Sequence, residues 1–220
     1  IKGANISELR YLVNNIVAYG NMKFAIVCLD PYLTKDHGKK SAMIDPKEYY
    51  GALGSYNLLI TYIFKFLRDG KVLPQKWPLN VIDEVGYNNF NLSMKGWDAR
   101  QMILDKVKKN ESESTIIDSI ALKELGETLA YLREHNIKIY GYFNPVPYQI
   151  REIDKQGYEI FTQKVSYLFT EKDILIDLNT PQYYFFTQNY ANYSAQGHLS
   201  DQGQKFVVAT MREAILNNTN

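Results

Sequence analysis

Hydrophobic and polar positions alternate along this chain with two different periods. Asn5-Ile6-Ser7-Glu8 reads as a capping box, with Asn5 as N-cap and Glu8 reaching back. Leu9, Leu12, Val13, Ile16 and Val17 follow at helical spacing, and Gly20 is placed to end the helix in a left-handed conformation. Phe24 to Leu29 (FAIVCL) is a continuous apolar run, which predicts a strand buried on both faces, stopped by Asp30-Pro31. Pro46 after Asp45 suits the start of a short helix, and Ser55 caps an apolar helix running to Arg68 and ended by Gly70. Residues 71 to 97 are rich in Pro, Asn and Gly and read as loop. A helix is expected from Asp98 to Lys108. A second, capped by Ser114 and running to Glu134, would turn Ile117, Ile120, Ala121, Leu125, Leu129 and Leu132 inward.

Ile137 to Phe143 is the second predicted strand, stopped by Asn144-Pro145-Val146-Pro147. One long helix is expected from Gln149 to Phe169, a third strand from Ile174 to Leu178, a loop over 179 to 197, and a final helix capped by Ser200 and running to Leu216. Strands separated by helices imply a parallel sheet covered on both faces. The fold class expected is α/β, a three-layer α/β/α sandwich with a mostly parallel sheet, flavodoxin-like in the broad sense. Three strands are few for such a sheet, and the chain opens on a helix with no strand before it. One or two strands are therefore expected upstream of Ile1. Residues 1 to 220 read as a single domain, with an insertion or lid at about 33 to 97 lying over the strand ends.

Composition narrows the classes. The 220 residues carry a net charge of +1, with 45% hydrophobic and 22% charged residues, the balance of a folded globular domain. Near-neutral charge argues against a protein built mainly to hold nucleic acid. Cys28 is the single cysteine, so no intrachain disulfide or cysteine-rich zinc site can form. No apolar run reaches the ~18 residues of a membrane span. The 18 tyrosines offer flat faces with polar tips, suited to packing or to gripping a glycan or peptide.

Ligands of open parallel sheets bind outside the carboxyl ends of the strands. The first strand ends at Asp30, followed by Tyr32; the second ends at Asn144; the third carries Asp177 and Asn179. Each alone is a common turn-former. Together with a histidine they suggest a site. His37 lies in a charged stretch, and His135 ends a helix, where a cation suits the dipole. His198 stands just before a capped helix, where it can act as a general base over the strand ends. No histidine pair has metal-ligand spacing, and there is no Gly-rich phosphate loop and no G-x-S-x-G elbow. No metal or other cofactor is implied.

His198-Leu199-Ser200, with Gly203 five residues beyond the histidine, resembles the last block of SGNH (GDSL-like) hydrolases. Ile1 to Tyr32 resembles the second and third blocks: a glycine (Gly3), a helix, then a strand ending near the site. The nearest flavour is that of SGNH-like proteins in bacterial cell-surface polysaccharide and teichoic acid systems. The resemblance implies a serine esterase or acyltransferase acting on acetyl or other O-acyl groups of cell-surface glycans. It implies an extracytoplasmic, envelope-associated location and a glycan or acyl-ester substrate, alongside a membrane-bound partner protein. His198 would be the base and the Gly3 N–H an oxyanion donor, with Asp30, Tyr32 and Asn144 lining the site. Asp201 and Asp177 are weaker candidates to orient His198.

The chain departs from the family in three places. No Gly-Asp-Ser occurs in it, Ala195 stands where the family's Asp precedes the His by three, and Leu29-Asp30-Pro31-Tyr32 lacks the third block's Asn. Covalent catalysis needs a nucleophile, a base within reach, and donors aimed at the oxyanion. The 220 residues by themselves are therefore expected to be inactive. The alternative is a non-catalytic SGNH-fold protein that binds a glycan or protein partner, gripping it with the Tyr-rich loop 182 to 193.

Overall fold

The computed structural model describes residues 6–34, 97–111, 115–195 and 197–218. Most of the expected insertion at 33 to 97 lies outside these residues, as do Gly3, Asn5, His37, Ser55 and Ser114.

The described chain is mixed α/β. Helix α1 (Ile6–Tyr19) leads into strand β1 (Phe24–Leu29) and a 3-10 turn (Pro31–Thr34). Helices α2 (Ala99–Lys109) and α3 (Ser119–Glu134) precede β2 (Lys138–Phe143). Helices α4 (Tyr148–Ile153) and α5 (Lys155–Ser166) precede β3 (Ile174–Asp177). Helical turns over Pro181–Tyr183, α6 (Tyr184–Thr187) and Tyr190–Asn192 then lead to α7 (Asp201–Asn217). The three strands form one parallel sheet in the order β1-β2-β3, with Phe24 opposite Lys138 and Tyr140 opposite Ile174.

Alternate side chains of β2 and β3 feed two cores, and β1 contributes to the first of them. Val27, Leu29, Ile139 and Phe143 join Val13 of α1, Leu125 and Leu129 of α3, and Phe161 and Val165 of α5. Successive right-handed crossovers between adjacent parallel strands deliver their helices to one face, which accounts for α3 and α5 sharing this core. On the opposite face Tyr140 and Leu178 pack with Phe186, Val207 and Met211, so α7 covers that side. A third cluster joins Ala99 and Ile103 of α2 to Ile150 of α4 and to Tyr193, with Val146 and Leu199 packed against it.

Several expectations are corrected. β1 is not buried on both faces: Phe24 and Ile26 are 45% and 48% exposed. The residues that pack on that face gather over β2 and β3, which leaves the same side of β1 uncovered by them. The long helix expected over 149 to 169 is two helices. Asp154 leaves the helical region at φ −127°, and its carboxylate accepts from the N–H of Gly157, so it caps α5. Thr115 also donates to Asp154. The cap of α3 is Asp118, whose carboxylate accepts from Ile120 and Ala121, and Ile120 faces solvent. Gly20 does not adopt a left-handed conformation. Its role is close approach, because a Cβ there would lie 2.5 Å from the Ile16 carbonyl oxygen. The loop expected over 179 to 197 contains three short helical turns.

Candidate functional site at the carboxyl ends of the strands

The chain segments leaving β2 and β3 are tied together by one amide. Pro145 and Pro147 have no N–H, so Val146 offers the only backbone donor between Asn144 and Tyr148. That donor goes to Asn179 Oδ1 at 2.8 Å. Asn179 Nδ2 donates to the Asn144 carbonyl at 3.0 Å and to Asp177 Oδ1 at 3.3 Å, and its backbone N–H donates to the same Oδ1 at 2.8 Å. Asn179 is buried. A buried polar side chain with this many partners fixes the spacing of the two strand ends.

Above this brace sits Arg151, one turn into α4. Its Nη1 donates to the Asn179 carbonyl and its Nη2 to the Tyr184 hydroxyl at 3.0 Å. The rings of Tyr148 and Tyr184 meet edge to face at 4.8 Å, and the guanidinium carbon lies 6.0 Å and 5.5 Å from their centroids. Such flanking rings favour the cation. The guanidinium is therefore held in one orientation.

Brace and guanidinium border a cavity of about 480 Å³. Leu29, Phe143 and Phe161 form an apolar floor, and Tyr158 and Tyr184 supply aromatic walls. Asn144, Asp177, Arg151, Lys155 and Glu159 bring polar groups to it. This volume suits a small ligand.

The strand ends thus bring Asn144 and Asp177 together, as their positions in the sequence suggested. Asp30 and Tyr32 do not line the cavity. The Asp30 carboxylate accepts the Tyr32 N–H at 2.8 Å, a local turn bond. His198 does not line it either. Its backbone carbonyl accepts the Ser194 N–H at 2.9 Å, and Tyr193 and Leu199 pair across the base of that loop. Ser200 closes the structure, donating from Oγ to the Ala191 carbonyl at 2.7 Å and accepting the Gly203 N–H at 3.2 Å. Gly203 is required here, since a Cβ would fall 2.2 Å from the Asn192 carbonyl oxygen. Leu199 and the cavity residue Val146 pack in one cluster, so the His198 loop stands at the carboxyl edge of the sheet. The imidazole is exposed, Ala195 is buried, and Asp201 is an exposed residue in the first turn of α7.

On β1 and β2, Cys28 and Tyr142 are register partners. Cys28 is solvent-exposed at the surface of β1, yet the protein packed around its inner side pushes the thiol up to about 11, against the opposing hydrogen bond to Tyr142. Desolvation likewise holds the Tyr142 phenol above its ordinary range, and the nearby Cys28 and Asp30 add to the shift. Both groups stay protonated near neutrality, so Cys28 is a poor nucleophile. Among the described residues no group of three His, Cys, Asp or Glu is placed to hold a metal ion. No described helix is long and apolar enough to cross a membrane.

No protein-family model, curated protein or solved structure matches this chain.

The residue missed from sequence is Arg151. The available signal was its place four residues after Pro147 and three after Tyr148, on the first turn of a helix leaving a strand end. Inside a helix expected to run unbroken to Phe169, its spacing does not set it apart from Lys155 or Lys164. The Tyr-rich loop also divides differently from expectation. Phe186 and Tyr193 are core residues and Tyr183 packs against Phe206, whereas Tyr184 lines the cavity.

Proposed function

We propose that this chain is an SGNH-like domain of an esterase or acyltransferase that handles O-acyl groups on cell-surface glycans. The observation that carries the reading is the placement of the His198 loop at the edge of the parallel sheet where Asn144 and Asp177 border a cavity. In this reading a serine, which the 220 residues do not supply in a Gly-Asp-Ser block, attacks the ester carbonyl. His198 takes the serine proton and delivers it to the departing sugar hydroxyl as the ester C–O bond breaks. Water, or a second hydroxyl in a transferase, then removes the acyl group. The Gly3 N–H would donate to the oxyanion. An exposed imidazole on a pinned loop suits a base that must meet a large substrate. The reading places the protein at the cell envelope, with a membrane-bound partner.

The test is hydrolysis of an O-acetylated glycan by the complete natural protein and by its His198→Ala variant. The expected result is a loss of turnover of about a thousandfold with the fold intact. Equal turnover by the two proteins overturns the assignment.

A second reading, a non-catalytic glycan-binding protein of the same fold, is favoured by the absence of Ser, Cys and His from the described lining of the cavity. It expects glycan binding that survives His198→Ala and is lost in the double variant Tyr183→Ala, Tyr184→Ala.

A further inference from the structure

We propose that the strand-end cavity binds an acidic sugar unit, a pyranose carrying a carboxylate or a phosphate, with Arg151 as the anion anchor. The proposal deepens the glycan reading above and rests on the cavity being the glycan site, but it needs no nucleophile.

Arg151 presents five N–H donors. Two go to the Asn179 carbonyl and the Tyr184 hydroxyl. Its nearest carboxylate, Glu152, is an adjacent surface residue at 3.5 Å, the far limit of a hydrogen bond. The Arg151 side chain is only 15% exposed, so a largely desolvated cation borders the cavity with donors to spare, and among the described residues its ion-pair partner is Glu152 at 3.5 Å. Burying a charge is costly unless it is paired. Natural structures keep such a cation where a ligand completes the pair, and the guanidinium fork matches both carboxylate and phosphate. Lys155, the first residue of α5, adds an ammonium to the cavity lining and forms no ion pair among the described residues.

The rest of the lining selects a sugar over a bare anion. Tyr158 and Tyr184 put aromatic rings on the cavity lining, apolar surface that suits the C–H side of a pyranose. Asp177, with one carboxylate oxygen already committed to Asn179, and the Asn144 side chain stand on the same cavity as partners for ring hydroxyls. The carboxylates of Asp177 and Glu159 disfavour a small anion that could slide freely, and reward a ligand that holds its charge at one end and its hydroxyls at the other.

The experiment is calorimetric titration of the full chain at low salt with glucuronic acid, glucose 6-phosphate, glucose and inorganic phosphate. At least one sugar acid is expected to bind about tenfold more tightly than glucose, and glucose 6-phosphate more tightly than inorganic phosphate. Whichever acid binds better identifies carboxylate or phosphate as the natural group. Arg151→Lys, which keeps the charge and loses the fork, should weaken the acid about tenfold, and Lys155→Gln about threefold. Lys155 is exposed, so its variant decides the matter if Arg151→Lys does not fold. Failure of every probe to bind overturns the proposal. So does glucose binding as tightly as both acids, or acid binding unchanged in the folded variants. Ester turnover that depends on His198 without any preference for acidic sugars overturns this proposal alone. Acid binding in a complete protein without turnover leaves it standing and removes the hydrolase reading.

Discussion

Arg133 on the last turn of α3 grips Asp173, just before β3, with two nitrogens on one carboxylate. Nη2 lies 2.6 Å and Nε 3.0 Å from Asp173 Oδ2. The same Nη2 donates to the Leu168 carbonyl at 2.8 Å, so one guanidinium joins the end of α3 to the segment entering β3. Burial alone would raise the Asp173 carboxyl, but the bonds from Arg133 and from Thr170 outweigh it and hold the group below the ordinary carboxylate range. A depressed folded-state value contributes stability above the unfolded value, about 3.9, which is lost as pH falls through the folded one. Thermal unfolding followed from pH 7 to pH 2 should show melting temperature falling below about pH 4. In Asp173→Asn the neutral-pH stability should drop by about 1–3 kcal/mol and the acid-side fall should shrink. An unchanged acid limb in the variant would show that other carboxylates carry the pH dependence.

Tyr193 tests the opposite situation, a polar atom with nothing to pair with. It is 4% exposed, its hydroxyl has no hydrogen-bond partner among the described residues, and burial raises its phenol above the usual range. Leaving a buried hydroxyl unpaired costs about 1–3 kcal/mol. Tyr193→Phe keeps the ring against Phe186 and removes the orphan oxygen. Urea denaturation is expected to show equal or higher stability. A loss above about 1 kcal/mol would mean that the hydroxyl is satisfied in solution.

Gly203 sets the height of the His198 loop. A methyl group there meets the Asn192 carbonyl oxygen, part of the backbone that also accepts the Ser200 N–H at 2.9 Å. Gly203→Ala should cost about 1–3 kcal/mol and shift the loop backbone. Amide exchange at Ser194 and Ser200 reads the shift. Protection equal to the parent at both amides would show that the loop accommodates the methyl by other means.

Cys28 is exposed to solvent, so access does not protect it, and its raised thiol alone is expected to slow its reaction. Its thiol, raised to about 11, is almost wholly protonated at pH 8. Alkylation by iodoacetamide at that pH should proceed at least tenfold more slowly in the folded protein than in urea, where the thiol returns to about 8.5. Equal rates would mean that Tyr142 and its surroundings do not hold the proton on sulfur.

Part of the local chemistry was readable, though the equally local caps at Asp118 and Asp154 were not. Ser200 caps its helix as its position suggested, because a side chain bonding an N–H three residues on needs only its own segment; Asp98, expected as the first residue of a helix, is instead its N-cap. The apolar runs over 24–29, 137–143 and 174–178 became the three parallel strands, since β-branched and aromatic clusters bounded by Asp, Asn and Pro suit few other states. The break at Asp154 was less legible. It depends on a carboxylate that turns to Gly157 and takes a bond from Thr115, distant in sequence, which no helical periodicity records.

The sequence by itself therefore determined the order of the three strands with helices between them, the parallel sense of the sheet, and the gathering of Asn144 and Asp177 at one edge. Only the tertiary structure decided that Asn179 braces two strand ends, that Arg151 rather than His198 borders the cavity, and that Phe24 and Ile26 of β1 stand exposed. The physical reason is the same in each case. Helices and strands answer to neighbours a few residues away. The solvation of Arg151 and of Phe24 is set by what other segments place beside them, and residue type alone does not contain that.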